Sequence, residues 1–258
     1  MLLAAIVFII IFYGSLLSLA IVVMFFSVGG IWEYNNIVFG KKGYLKEKIE
    51  GIIFALVIPF VVLYSNSQAT LAVLAFCVLI TFIVFLGSVQ KAAFDVLSVA
   101  KVVFGLMYIP FLMSHFILLR GLDQGPFWVL FVLVLALTGD ITALYIGKYF
   151  GKHKLIPAVS PGKTVEGTIG LILGSTAACV IFSYFVFPQI ALGQIVFLAF
   201  AGSIIGQLGD LSESAIKRTY GLKDASSLLP GHGGLLDRMD CLLFIVPFVY
   251  YYKIFVIG

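Results

Sequence analysis

Apolar runs of about twenty residues recur along the chain and leave it few folds. ATLAVLAFCVLITFIVFLG (69–87) and FWVLFVLVLALTGDITALYIG (127–147) are two of them. A run of that length is what a helix needs to cross the hydrocarbon of a bilayer. Within lipid each backbone N–H and C=O must be satisfied inside its own element or a closed barrel. The period-two alternation of a barrel is absent, so the runs read as helices. Composition agrees: 62% of residues are hydrophobic and 11% charged, against about 25% charged in soluble domains. The chain is expected to be an all-α integral membrane protein, a polytopic bundle of about nine transmembrane helices with a polar site facing the cytoplasm.

The expected spans are roughly 1–14, 17–38, 50–65, 69–88, 97–119, 127–149, 165–187, 190–209 and 241–257. Residues 1–38 also allow one long tilted helix. MLLAAIVFIIIFYGS lacks the basic start and cleavage site of a signal peptide and reads as a retained helix. The whole of 1–258 reads as a single transmembrane catalytic domain, with N-terminal helices over about 1–90 and motif-bearing helices over about 97–258. Cys77, Cys179 and Cys241 lie in or beside apolar runs, form no CxxC or Cys/His cluster, and read as buried small side chains.

Basic residues fix an orientation. Lys41, Lys42, Lys46 and Lys48 flank the 2–3 connection, Lys91 and Lys101 the 4–5 connection, Lys148, Lys152, Lys154 and Lys163 the 6–7 connection, and Lys217, Arg218, Lys223 and Arg238 the 8–9 connection. Only Arg120 and Lys253 fall on the other side. By the positive-inside rule the long polar loops face the cytoplasm, which predicts a multi-pass protein of the cytoplasmic membrane. No internal repeat supports an inverted-repeat transporter, and charge gathered at one face argues against a gated anion pathway.

The charges concentrate in GQLGDLSESAIKRTYGLKD and the following LLPGHGGLLDRMD. Asp210, Glu213 or Ser214, and Lys217 share one face if the eighth span continues as a helix. Asp237 and Asp240, three apart, are expected on one face at the start of the ninth, where the helix dipole favours acids. Carboxylates facing basic groups suit a metal–phosphate site: Mg²⁺ takes one or two carboxylates plus phosphate oxygens, and Lys and Arg meet the remaining phosphate charge. Gly231, Gly233 and Gly234 allow backbone N–H groups close to an anion, with His232 as a donor or a turn cap.

A second polar run, SPGKTVEG, follows the sixth span. The GxxxxGK[ST] spacing of a phosphate-binding loop fails, since no glycine stands five residues before Gly162, and no strand is expected before it, so a P-loop is rejected. Ser160-Pro161 reads as a helix start that would place Lys163, Thr164 and Glu166 in the first turn of span seven. Asp140, ionisable within span six, is a functional candidate.

SAIKRTYGLKDASSLLPGHGGLLDRMD (214–240) resembles the signature of phosphatidate cytidylyltransferases, or CDP-diacylglycerol synthases, and the likeness extends to SPGKTVEG. Val165 stands where the family more often has an aromatic residue. The resemblance implies synthesis of CDP-diacylglycerol and pyrophosphate from CTP and phosphatidic acid with Mg²⁺, by a homodimeric helical membrane protein with a cytoplasmic polar funnel and no nucleic-acid partner. It implies that Asp210 and Asp237 hold the metal and that Lys217, Arg218, Lys223, Asp224, His232, Arg238 and Asp240 complete the site. The converging carboxylates Asp140, Asp210, Asp237 and Asp240 leave room for a second cation. Ser160, Lys163, Thr164, Glu166, Gly233 and Gly234 are the remaining candidates for substrate contact. A CDP-alcohol phosphotransferase is excluded because its DGxxAR motif is missing.

Overall fold

The computed structural model describes residues 2–40, 44–87, 95–226 and 233–258, with side chains described from residue 8 onward. Among these residues the apolar runs fold as helices: α1 (Leu2–Tyr13), α2 (Leu16–Val38), α3 (Leu45–Tyr64), α4 (Ser67–Leu86), α5 (Val96–Leu106), α6 (Leu112–Arg120), α7 (Gly125–Phe150), α8 (Val165–Val186), α9 (Leu192–Thr219) and α10 (Asp240–Tyr252). A π-helical turn, Met107–Phe111, joins α5 to α6. It contains Pro110, which cannot donate to the helix ladder and forces the local widening. All nine expected spans therefore reappear as rods among the described residues, α5 and α6 forming one of them. Seven of the rods are long and apolar enough to cross a membrane. The other two are α1, with 12 residues, and α3, which carries Lys46, Glu47, Lys48 and Glu50 in its first two turns. The protein is an all-α polytopic membrane protein.

Polar residues mark the helix ends as the breaks suggested. The Ser15 hydroxyl accepts the Ser18 N–H at 3.2 Å, and the Asn66 carboxamide accepts that of Ala69 at 2.9 Å, each satisfying a donor the helix itself leaves orphaned. Arg120 does the converse for α1. Its Nε donates to the Ile11 carbonyl at 2.9 Å and its Nη2 to that of Gly14 at 3.3 Å, placing a cation on a helix C-terminus.

The chain divides into two compact units. One comprises Met1–Gly121 with Asp224–Leu236, the other Leu122–Lys223 with Asp237–Gly258. In the first, α2 and α3 pack together and against α5 and α6, while α4 lies on α3 and α5. Its core holds Tyr34, whose hydroxyl donates to the Lys101 carbonyl at 2.9 Å.

In the second unit α7 and α8 form the most extensive helix pair, and small residues explain why. A Cβ added to Gly170 would stand 2.9 Å from Ile146 Cβ, and one added to Gly174 would stand 2.7 Å from Thr142 Cβ. Close backbone approach of this kind is how helices associate in lipid, where apolar side chains gain nothing by leaving the solvent. Gly174→Val is therefore expected to lower stability by about 1–3 kcal/mol through overpacking; thermal unfolding in detergent measures it. The α8 and α10 rods both pack on α9.

One expectation fails at the α7–α8 connection. Ser160–Thr164 is not a helix start. It is strand β2, paired antiparallel with β1 (Lys154–Ile156) in the register Lys154↔Thr164 and Ile156↔Ser160. The residue before a proline is driven to extended backbone, so Ser160-Pro161 suits a strand as well as a helix entry. The hairpin decides between them: Val159 N–H bonds the Ile156 carbonyl at 3.1 Å and Val165 N–H that of His153 at 2.9 Å. The helix begins at Val165, capped by the Thr164 hydroxyl, which accepts the Gly167 N–H at 3.1 Å. Strands were not expected here, yet the pair is too short and too exposed to alter the fold class.

Candidate active site

Within the second unit, α7, α8, α9 and the hairpin surround a cavity of about 390 Å³ lined by Asp140, Lys148, Lys163, Thr164, Thr168, Gln207 and Asp210, with Gly147, Gly162 and Gly167 supplying bare backbone. Each side chain has a local reason for its place. Lys163 stands on β2, one residue before the cap that turns the chain into α8. Gly147 and Gly167 let α7 and α8 approach at this end: a Cβ on Gly167 would lie 3.3 Å from Gly147 Cα and 3.1 Å from the Ala143 carbonyl oxygen. Asp210 comes from α9, which continues to Thr219, ten residues past the expected end of its span. Its 28 residues make a rod of about 42 Å against about 30 Å of hydrocarbon. The charged final turns can therefore stand clear of the lipid.

Lys163 Nζ forms an ion pair with Asp210 Oδ2. Asp140 and Asp240 both lie within Coulombic reach of Asp210 and Lys163, and Arg238 within reach of Asp140. A second charged group sits one turn further along α9. Lys217, 7% exposed, lies 2.6 Å from Glu213 Oε2 and 2.5 Å from Asp237 Oδ1. Glu213 is 1% exposed, and its Oε1 has no hydrogen-bond partner among the described residues. The face of α9 expected to carry Asp210, Glu213 and Lys217 is real.

The expected pairing of Asp237 with Asp240 on one helix face is not. Asp237 lies in a 3₁₀ turn, Leu236–Arg238, and α10 starts only at Asp240. Lys217 draws Asp237 toward α9, whereas Asp240 accepts the N–H of Cys241 at 2.7 Å and faces the Asp210 group.

The other candidates are distributed as follows. Glu166 accepts the N–H of Lys152 at 3.1 Å and meets His153 Nδ1 at 2.7 Å, so it fastens the loop before β1. Arg218 donates to the Val159 carbonyl at 3.0 Å and the Leu222 carbonyl at 3.1 Å, tying the hairpin turn to the end of α9. Ser160 is half-buried on β2, and Lys223 is exposed after α9. Asp224, Gly233 and Gly234 belong to the first unit. Gly233 has φ +78°, a left-handed conformation open to glycine. His232 lies outside the described residues. The sequence reading passed over Thr168 and Gln207 in the cavity wall, and Glu33 in α2.

A divalent ion is a test of this donor set. Among the described residues no three His, Cys, Asp or Glu side chains come together as a complete cage. Mg²⁺ does not need one, since it takes one or two carboxylates and completes its shell with phosphate oxygens and water. Asp140, Asp210 and Asp240 supply hard oxygen donors, and an ammonium already rests on Asp210. The residues present fit such an ion in kind.

The sequence model of the Cytidylyltransferase family matches residues 1–256. The chain belongs to that family. The phosphatidate cytidylyltransferase of Bacillus subtilis is 38% identical over 186 residues, which cover 72% of this chain and 68% of that protein. Those of Staphylococcus saprophyticus and Staphylococcus haemolyticus are each 39% identical over 160 residues, 62% of this chain and 58% of the relative. The match thus spans under three fifths of each staphylococcal protein.

Proposed function

We propose that this chain transfers the cytidylyl group of CTP to phosphatidic acid, yielding CDP-diacylglycerol and pyrophosphate for phospholipid synthesis. The observation that carries the reading is the charged cavity among apolar helices, with Lys163 and Asp210 in its wall, in a chain of the Cytidylyltransferase family. An oxygen of the lipid phosphate attacks the α-phosphorus of CTP, and the bond from that phosphorus to the bridging α–β oxygen breaks. The nucleophile is already ionised near neutral pH, so no general base is required. The difficulty is bringing two polyanions together, which makes positioning and charge stabilisation the main contributions.

Lys148 and Lys163 are suited to meet phosphate oxygens from the cavity wall, and the N–H groups near Gly162 and Gly167 can approach them without a side chain between. Asp210, with Asp140 or Asp240, would hold Mg²⁺, which when bound supplies positive charge to the phosphates. Lys217 holds Asp237 in place. Arg238 and, at the end of α9, Arg218 and Lys223 add cationic charge for the triphosphate or the lipid phosphate. Acyl chains need never leave the bilayer. We further read the site as facing the cytoplasm from the cytoplasmic membrane, on the lysine asymmetry of the connecting loops, and the protein as a homodimer, on the family likeness.

The test is an assay of purified protein in detergent with phosphatidic acid, labelled CTP and Mg²⁺. The expected result is label in a lipid-extractable product, pyrophosphate in equal amount, and loss of both on chelation that added Mg²⁺ reverses. No product from folded protein across several lipid phosphates would overturn the reading and return the charged loops to an anion pathway.

A further inference from the structure

Helix α2 carries a carboxylate where an apolar helix should carry none. Glu33 is 0% exposed, and no step of the transfer above uses it. Leaving a carboxylate in an apolar bundle is costly unless its oxygens are satisfied. Here they are satisfied by one segment. Oε2 accepts the N–H of Leu236 at 2.7 Å, while Oε1 accepts that of Leu235 at 2.9 Å and the Ser226 hydroxyl at 2.5 Å. A two-pronged acceptor of this kind suits the three donors that converge on it among the described residues.

Shape reinforces the contact. A Cβ added to Gly234 would stand 2.7 Å from Glu33 Oε2 and 2.9 Å from Ala225 Cβ. On the helix side, a Cβ added to Gly29 would stand 2.4 Å from Leu235 Cδ2. The last glycine of GHGG thus leaves room for the Glu33 carboxylate, and Gly29, one turn before Glu33, leaves room for Leu235. Leu236 follows Leu235, and directly after it come Asp237 and Arg238.

We propose that Glu33 is a positioning residue for cytidylyl transfer, clamping Gly233–Leu236 so that the chain enters Asp237 and Arg238 in a fixed geometry. The inference rests on the function proposed above. A displacement of about 1 Å in a catalytic group can cost about 100-fold in rate, so a clamp one residue away from Asp237 has leverage out of proportion to its distance from substrate. A purely structural carboxylate would change stability and leave the turnover of folded protein alone.

The experiment uses the full chain in detergent and compares Glu33→Gln with Glu50→Gln. Glu50 is another buried carboxylate of the same unit, bonded to Thr81 at 2.5 Å and remote from the clamp in its contacts. In Glu33→Gln the amide must turn an N–H toward one of the backbone donors. Expected are amide exchange faster by about tenfold in peptides covering 233–240, and kcat lower by about 30-fold with the KM for CTP within about threefold of wild type. Glu50→Gln is expected to keep wild-type kcat per folded molecule whatever it does to the melting temperature. If Glu33→Gln yields no folded protein, Ser226→Ala decides. It removes one of the three donors, and about a threefold loss of kcat with faster exchange is expected of it. Unchanged exchange at 233–240, or kcat within the wild-type error, overturns the clamp even with an active enzyme. A wild type that makes no lipid-linked CMP overturns the catalytic part through the functional reading, while the exchange comparison still judges the contact itself.

Discussion

Asp210→Asn is expected to lower cytidylyl transfer at saturating CTP by about 1,000-fold, with the protein still folded and inserted. The substitution keeps the size of the side chain, removes its charge and turns one acceptor oxygen into an amide donor. That charge stands in the cavity wall, paired with Lys163 and within reach of Asp140 and Asp240. If Asp210 holds a cation against the triphosphate, an amide oxygen cannot replace it. Positive charge at the phosphates would then be lost in the transition state more than in the ground state, so kcat should fall further than affinity for CTP. Steady-state assays with labelled CTP over a range of Mg²⁺ check this. A partial recovery at high Mg²⁺ would point to weakened cation binding. Activity within about tenfold of wild type at ordinary Mg²⁺ would remove Asp210 from the role, since single electrostatic groups at reacting centres contribute about 100–1,000-fold.

The parts of this site that were legible in the sequence are those that sit on regular helix. Asp210, Glu213 and Lys217 are spaced three and four apart, and continuing α9 by ten residues was enough to align them. Asp140 was marked because an ionisable residue inside an apolar span is expensive. Glu33 satisfies the same criterion, in FFSVGGIWEYNN, and was passed over because its partners, two backbone N–H groups and a serine hydroxyl, lie about two hundred residues away. No side-chain pattern announces a backbone donor. The β1–β2 hairpin was missed for a different reason. Its strands are three and five residues long and exposed, so no alternation of apolar and polar residues marks them, and Ser160-Pro161 is compatible with both outcomes. Asp237 was assigned to the wrong helix face because a 3₁₀ turn precedes α10, and nothing local in LLDRMD separates that turn from a first helical turn. The split of α5 from α6 at Pro110 could have been read from the proline alone.

Lys217→Met is expected to lower both stability and turnover. The ammonium is the shared partner of two carboxylates, at 2.6 Å from Glu213 and 2.5 Å from Asp237, in surroundings that leave Lys217 7% exposed and Glu213 1%. Methionine fills the volume of the aliphatic stem but leaves two acids facing each other with no cation between them. Breaking a buried ion pair by removing one partner costs about 3–5 kcal/mol, because the charge left behind has lost its solvent as well as its mate. In a chain of this size that corresponds to a fall in melting temperature of about 10 °C. Adding Glu213→Gln to the same chain replaces one of the two buried acids by an amide that can donate to Asp237, and should restore much of the stability. Turnover should not return with it, since Asp237 would still lack the ammonium that holds it toward α9. Thermal unfolding and kcat measured on the two variants therefore separate two contributions that coincide in Lys217→Met alone. Recovery of both together would mean that Lys217 acts only as the partner of Glu213. Recovery of stability without turnover would place the lysine in the service of Asp237.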